Sequence, residues 1–276
     1  MALTALTSIS ASPGVTSTAL TWAQVSKKPT LLVEADPTGG SPMLCIAWQG
    51  SQPHDRSVLD LAHFPASEYP DRIWELALPL PQRPKAAWVL PAVGSPAQAR
   101  SMRELWAPVC DALARISSDS DVDVVIDLGR WNTAGFAEPV LARASSILVM
   151  TDTTLTALNS LALGLSVIRE QLEASGGTHK LGVVPVLGQE KGTGHRPYGS
   201  REIAQITDSV PVLPGVARDP KAAGERRWTG ESQRVRATDK LRPRTAYPLS
   251  IQHLIEANDK HVATASDYLS TSQETA

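Results

Sequence analysis

Ser10 to Thr18, S-A-S-P-G-V-T-S-T, lies between a short β-prone run, Leu3 to Ile9, and a helical pattern from about Ser17 to Ser26. Strand, loop and helix in that order are the setting of a phosphate-binding loop. There, successive backbone N–H groups and a helix N-terminus cradle an anion. The residue types fit only in part. Gly14 suits a close approach of backbone to phosphate, but Pro13 has no N–H to donate. No lysine occurs before Lys27, although such a loop normally uses one to neutralise terminal phosphates. The other reading is an ordinary β–α connection with a hydroxyl-rich helix start.

Carboxylates form the second group. An apolar run, Thr30 to Val33, leads into E-A-D-P-T-G-G, Glu34 to Gly40, and V-D-V-V-I-D ends on Asp127. Carboxylate and hydroxyl oxygens at strand ends suit Mg²⁺. Equally, Asp36-Pro37 with Gly39-Gly40 makes a turn, and Asp127 can cap the turn that follows it.

These groups need a scaffold, and the chain supplies one by alternation. Short apolar runs at Leu3–Ser8, Thr30–Val33, Ala87–Leu90, Val122–Asp127, Ser146–Thr151, Leu181–Leu187 and Val210–Leu213 read as strands. Their unalternating character fits strands buried on both faces. Helical patterns fall at Ser17–Ser26, Glu68–Leu78, Pro96–Ile116, Leu155–Glu173 and Ser200–Thr207. This pattern predicts a three-layer α/β sandwich with a mainly parallel central sheet and a ligand crevice at the strand C-termini. One domain is expected over residues 1–262, with a polar C-terminal tail over 263–276.

Composition narrows the classes. Of 276 residues, 42% are hydrophobic and 20% charged, which suits a globular chain with a sizeable core. A net charge of −2 points to neither nucleic acid nor membrane in bulk. Cys45 and Cys110 make no disulfide framework, so a reducing, cytoplasmic setting is expected. No run approaches the roughly 20 apolar residues of a membrane span. The apolar cluster Leu249, Ile251, Leu254 and Ile255 is followed by a stretch that is not basic, which argues against membrane insertion. Arg218 to Arg244 holds nine Lys/Arg against four Asp/Glu. It is the candidate for non-specific DNA contacts, or else a solvated face.

Three segments recur in the order found in ParA/MinD-like P-loop ATPases. S-P-G-V-T-S-T-A, from Ser12, resembles the deviant Walker A motif K-G-G-V-G-K-T-T. L-L-V-E-A-D-P-T-G-G resembles the strand and switch segment, and V-D-V-V-I-D-L-G-R the Walker B strand. The forms S-P-G-V-T and E-A-D-P-T-G-G resemble a divergent actinobacterial-type group. The resemblance implies a P-loop NTPase fold, with ATP and Mg²⁺ as cofactors. Ser12, Pro13, Gly14, Val15, Thr16, Ser17 and Thr18 would form the nucleotide loop. Thr18 and Asp127 would hold Mg²⁺, and Asp36 would position the attacking water. Glu34 stands where the family has another aspartate.

Aligned this way, the Walker A is degenerate, because Ser12 and Ser17 replace both lysines. Losing one charge-assisted contact costs about 1.5–3 kcal/mol, or roughly ten- to a hundredfold in affinity. The resemblance therefore implies a nucleotide-binding protein that positions or partitions DNA or a cellular assembly, with weak or absent ATPase activity. One alternative is a pseudo-ATPase scaffold for a protein partner; another is a nucleotide-independent DNA-binding module. A protein partner is expected, and a homodimer is one arrangement the family allows.

Overall fold

The computed structural model describes residues 2–10, 13–83, 85–131, 138–173, 177–188, 197–218 and 246–274. In chain order the elements begin with β1 (Leu3–Ser8), α1 (Val15–Val25), β2 (Thr30–Glu34), α2 (Pro42–Trp48), α3 (Tyr69–Leu76), β3 (Leu78–Pro79) and β4 (Ala87–Leu90). They continue with α4 (Pro96–Ser101), α5 (Trp106–Asp119), β5 (Asp123–Arg130), α6 (Glu138–Arg143), β6 (Ser146–Asp152) and α7 (Leu155–Glu173). The last are β7 (Leu181–Leu187), α8 (Ser200–Ile206), β8 (Val216–Ala217) and α9 (Ala246–Glu274).

The sheet has the order β3-β4-β2-β5-β1-β6-β7-β8. Every pairing is parallel except β3 with β4 at the edge. Parallel strands covered on both faces read as continuous apolar runs, and β1 is buried at all six positions. One core layer packs β1, β2, β5 and β6 under α3, α5 and α7, with Trp106, Leu113, Ile126 and Leu161 in its interior. The opposite layer sets Leu20 and Trp22 of α1 and Ile251 and Leu254 of α9 against Leu32, Val125 and Leu148. The expected three-layer α/β architecture is therefore present. Among the described residues, no helix is long and apolar enough to cross a membrane.

Three sequence-based boundaries change. The helix expected over Pro96–Ile116 is two helices, broken at 102–105. The strand expected at Val210–Leu213 supplies a single bridge, Val183 to Val212, and the sheet's edge forms at β8 instead. Pro211 and Pro214 have no amide to give a ladder, so the contact is limited to Leu213 N–H on the Val183 carbonyl and Val183 N–H on the Pro211 carbonyl, both at 2.8 Å. The polar tail expected from residue 263 is instead the continuation of α9, which runs unbroken to Glu274 and buries Ala265. What holds α9 down there is polar. Asn258, 1% exposed, accepts from the Ser146 hydroxyl at 2.6 Å and donates to Thr4 at 3.0 Å.

Candidate functional site

β1, β2 and β5 are adjacent, and the register sets Leu6 and Glu34 beside Asp127 and Ser8 beside Arg130. The loop after β1 thus meets Glu34 and Asp36, at and past the end of β2, and Asp127 within β5. This is where open α/β sheets bind ligands.

The loop enters α1 through Gly14, the helix N-cap, in the left-handed conformation at φ 90° and ψ 37°. Only glycine adopts that geometry without cost. Val15 opens the helix with its side chain buried in the core. Thr16 and Ser17 are half-buried in the first turn, and Pro13 is buried ahead of it. Ser12 lies outside the described residues.

Thr16 and Thr18 face different partners. The Thr16 side chain stands beside the Asp127 carboxylate and favours its ionised form. Thr18 is 1% exposed, and its hydroxyl lies 3.5 Å from the Tyr247 hydroxyl of α9. Asp127 thus has Thr16 beside it, whereas Thr18 faces α9. The reason lies in chain geometry. β1 ends at Ser8 and α1 starts at Val15, so the first-turn hydroxyl nearest the β5 end falls two residues earlier.

Asp127 is fully buried. Burial pushes its carboxyl up to about 7 from the ordinary 3.8. Thr16 beside it and a hydrogen bond from the Gly129 amide at 2.9 Å pull it back, and the nearby charges of Glu34 and Asp36 push it further up. Asp36 is half-buried, and its Oδ1 accepts from the Thr38 amide at 2.8 Å and the Thr38 hydroxyl at 2.7 Å. Its other oxygen lies over Gly129, at φ 60°, where any Cβ would overlap it. Glu34, 1% exposed, accepts from the Ser41 hydroxyl, from Met43 N–H at 2.8 Å and from Ala92 N–H at 3.2 Å. Burial raises its carboxyl too, against those three hydrogen bonds.

Sequence reasoning missed Tyr247, Gly129 and the partners of Glu34. Arg218, which the sequence places at the head of the basic stretch, pairs its guanidinium with Asp152 and joins the end of β6 to the residue after β8. The glycine two residues past Asp127 was the one available signal. The others depend on elements far away in sequence. The remainder of the basic stretch Arg218 to Arg244 lies outside the described residues.

A Mg²⁺-nucleotide fits one half of this arrangement. Thr16 and Asp127 offer the hydroxyl and carboxylate oxygens such a metal takes. The phosphate half is poorly served: Pro13 lacks an N–H, Val15 is turned into the core, and the loop has no lysine. Among the described residues, no group of three or more His, Cys, Asp or Glu could hold a metal ion. Metal affinity here would have to come largely from the phosphate itself.

No protein-family model matches the chain, and no curated protein is similar to it in sequence. Solved structures are similar in fold. A ParA family ATPase from Chlorobium tepidum TLS superposes with a TM-score of 0.66 at 14% identity, over 91% of this chain and 96% of that one. MinD from Pyrococcus horikoshii OT3, solved with Mg-ADP, gives 0.66 at 14% identity over 96% and 98%. A McdA variant from Cyanothece, solved with ATP, gives 0.66 at 16% over 95% and 96%. The order of the strands, the loop before α1 and the coverage from end to end agree: this chain has the fold of the ParA/MinD-like P-loop ATPases.

Proposed function

We propose that this protein acts in positioning or partitioning DNA or a cellular assembly through a protein partner, and that it binds Mg²⁺-nucleotide weakly and hydrolyses it slowly or not at all. The observation that carries the second half is Val15. In a P-loop the last glycine precedes the helix, the lysine opens it, and the metal-binding hydroxyl follows. Read from Gly14, that order puts Val15 at the lysine position and Thr16 at the hydroxyl position, with Ser10 at the signature lysine. Val15 carries no charge and packs in the core. The assignment of Ser12, Ser17 and Thr18 to those roles moves two residues towards the N-terminus, while Asp127 and Asp36 keep theirs.

Titration calorimetry with Mg²⁺-ATP, paired with a phosphate-release assay, tests this reading. Weak heats and no turnover above background are expected. Saturable binding in the micromolar range with steady turnover would sink it. Where binding is measurable, Thr16→Val should weaken it at least tenfold and Thr18→Val should leave it within about twofold; the reverse pattern restores the ungapped alignment.

A scaffold that has given up nucleotide entirely is the second reading. It is favoured by the loop itself, where Pro13 has no N–H to offer a phosphate and no lysine stands. A protein that keeps its partner complex unchanged with and without Mg²⁺-ATP supports it. DNA binding through Arg218–Arg244 is the third; a gel-shift series in salt tests it, and a shift that ignores salt removes it.

A further inference from the structure

We propose that Glu34 is a positioning residue that pins the Asp36–Ser41 segment to the loop after β4, so that this segment holds one conformation without any nucleotide. The proposal takes from the functional reading only the location of the site.

Glu34 ends β2, yet its carboxylate is spent on neighbours outside that strand. It accepts from the Ser41 hydroxyl and the Met43 amide, at the start of α2, and from the Ala92 amide, just past β4. A buried carboxylate is costly unless donors surround it, and here three donors from two separate chain segments do so. The carboxylate is thus the common point joining β2, α2 and the β4 loop.

The segment between carries independent marks of being held. Ser41 is a non-glycine residue in the left-handed region, at φ 42° and ψ 66°. Such a conformation is disfavoured for a residue with a Cβ and persists only where the surroundings impose it. The Ser41 hydroxyl bond to Glu34 is one such imposition. Gly39, at φ 71°, lies so close to the β4 loop that a Cβ would sit 2.9 Å from Ser95 N and from the Val93 carbonyl. Gly40 N–H donates to that same carbonyl at 2.9 Å. All of these contacts are made by the chain's own atoms.

The side-chain length matters. An aspartate would carry its carboxylate one C–C bond, about 1.5 Å, nearer the backbone, too far to serve Met43 and Ala92 together. Glu34→Asp should therefore release the segment while keeping the charge. Asp36, whose carboxylate is set by Thr38 and Gly129 at the start of this segment, would lose its fixed place.

Amide hydrogen exchange on the full chain tests this. In the nucleotide-free protein the Gly40, Met43 and Ala92 amides should be protected. Glu34→Asp should speed their exchange at least tenfold and leave Val125 and Ile126 of β5 unchanged. Ser41→Ala, which removes one donor and spares the other two, should give a smaller, few-fold increase and serves if the Glu34 variant does not fold. Adding Mg²⁺-ATP should leave the wild-type rates unaltered. Unprotected amides in the wild type, or rates indifferent to both variants, overturn the proposal. So does exchange that slows only once Mg²⁺-ATP is added. Calorimetry on the same sample reports binding separately, so a chain that binds no nucleotide still has the proposal decided by the two variants.

Discussion

The Thr16 side chain, in the first turn of α1, stands beside the buried Asp127 carboxylate of β5 and favours its ionised form. The loop and Asp127 should therefore respond together to pH and to mutation.

Asp127 should make the fold less stable as pH rises. Its folded value of about 7 lies above the ordinary 3.8, so the folded state holds a proton that the unfolded state has lost. The benefit is complete below about pH 4 and is lost as pH climbs through 7. Asp127→Asn removes that slope. The stability difference between variant and wild type should shift by up to about 4 kcal/mol in the variant's favour between pH 4 and 8, read by denaturant unfolding. A constant difference across that range would show the carboxyl to be ionised throughout.

His179 should act in the opposite sense. Burial, and then the charges of Lys180 and His261, hold its imidazole below the ordinary 6.5. Its contribution is present above 6.5 and is lost as pH falls below that value, because the unfolded chain takes up the proton first. His179→Gln should flatten the acid side of the stability profile between pH 6.5 and 5. An unchanged acid limb would exclude His179 as its source.

Glycines near the site should separate backbone cost from crowding. Gly40 is at φ 85° with open space around it, whereas Gly129 is at φ 60° with Asp36 over it. Alanine in a left-handed conformation costs about 1–2 kcal/mol. Gly40→Ala should cost about that much. Gly129→Ala should cost more and should also displace Asp36. Equal losses in urea unfolding would mean the Asp36 carboxylate moves aside freely.

Gly164 of α7 should couple to Ile9. A Cβ at Gly164 would lie 2.5 Å from Ile9 Cγ2, so Gly164→Ala should destabilise the wild type yet be nearly silent beside Ile9→Ala. A double-mutant cycle measures this, and additivity would show that Ile9 is not seated there.

Much of this fold is legible in the sequence because it is written in apolar runs. β1, β4, β7 and α7 form over the expected residues, since each is buried on a whole face or on both. α9 is absent from the helices read in the sequence, which shows only the apolar cluster Leu249 to Ile255, because the side chain that faces the sheet next is Asn258, a polar residue bonded to two strands. The site divides in the same way. Asp36 and Asp127 are visible as strand-end carboxylates. The pairing of Thr16 with Asp127 depends on where α1 starts, and sequence fixes helix ends only to within a residue or two. Tyr247 and Ala92 contact their partners across 229 and 58 residues of chain, a distance at which no local pattern operates.

The Asn258 bridge has a further consequence for synthesis. β1 leaves the ribosome well before its pairing partners, which begin at Asp123 and Ser146, and Thr4 of β1 meets a further hydrogen-bond partner only at residue 258. The central strand must wait, largely unpaired, while most of the chain is made. An apolar strand left waiting is exposed to mispairing, so a nascent chain stalled before β5 and β6 emerge would be the form in greatest need of a chaperone.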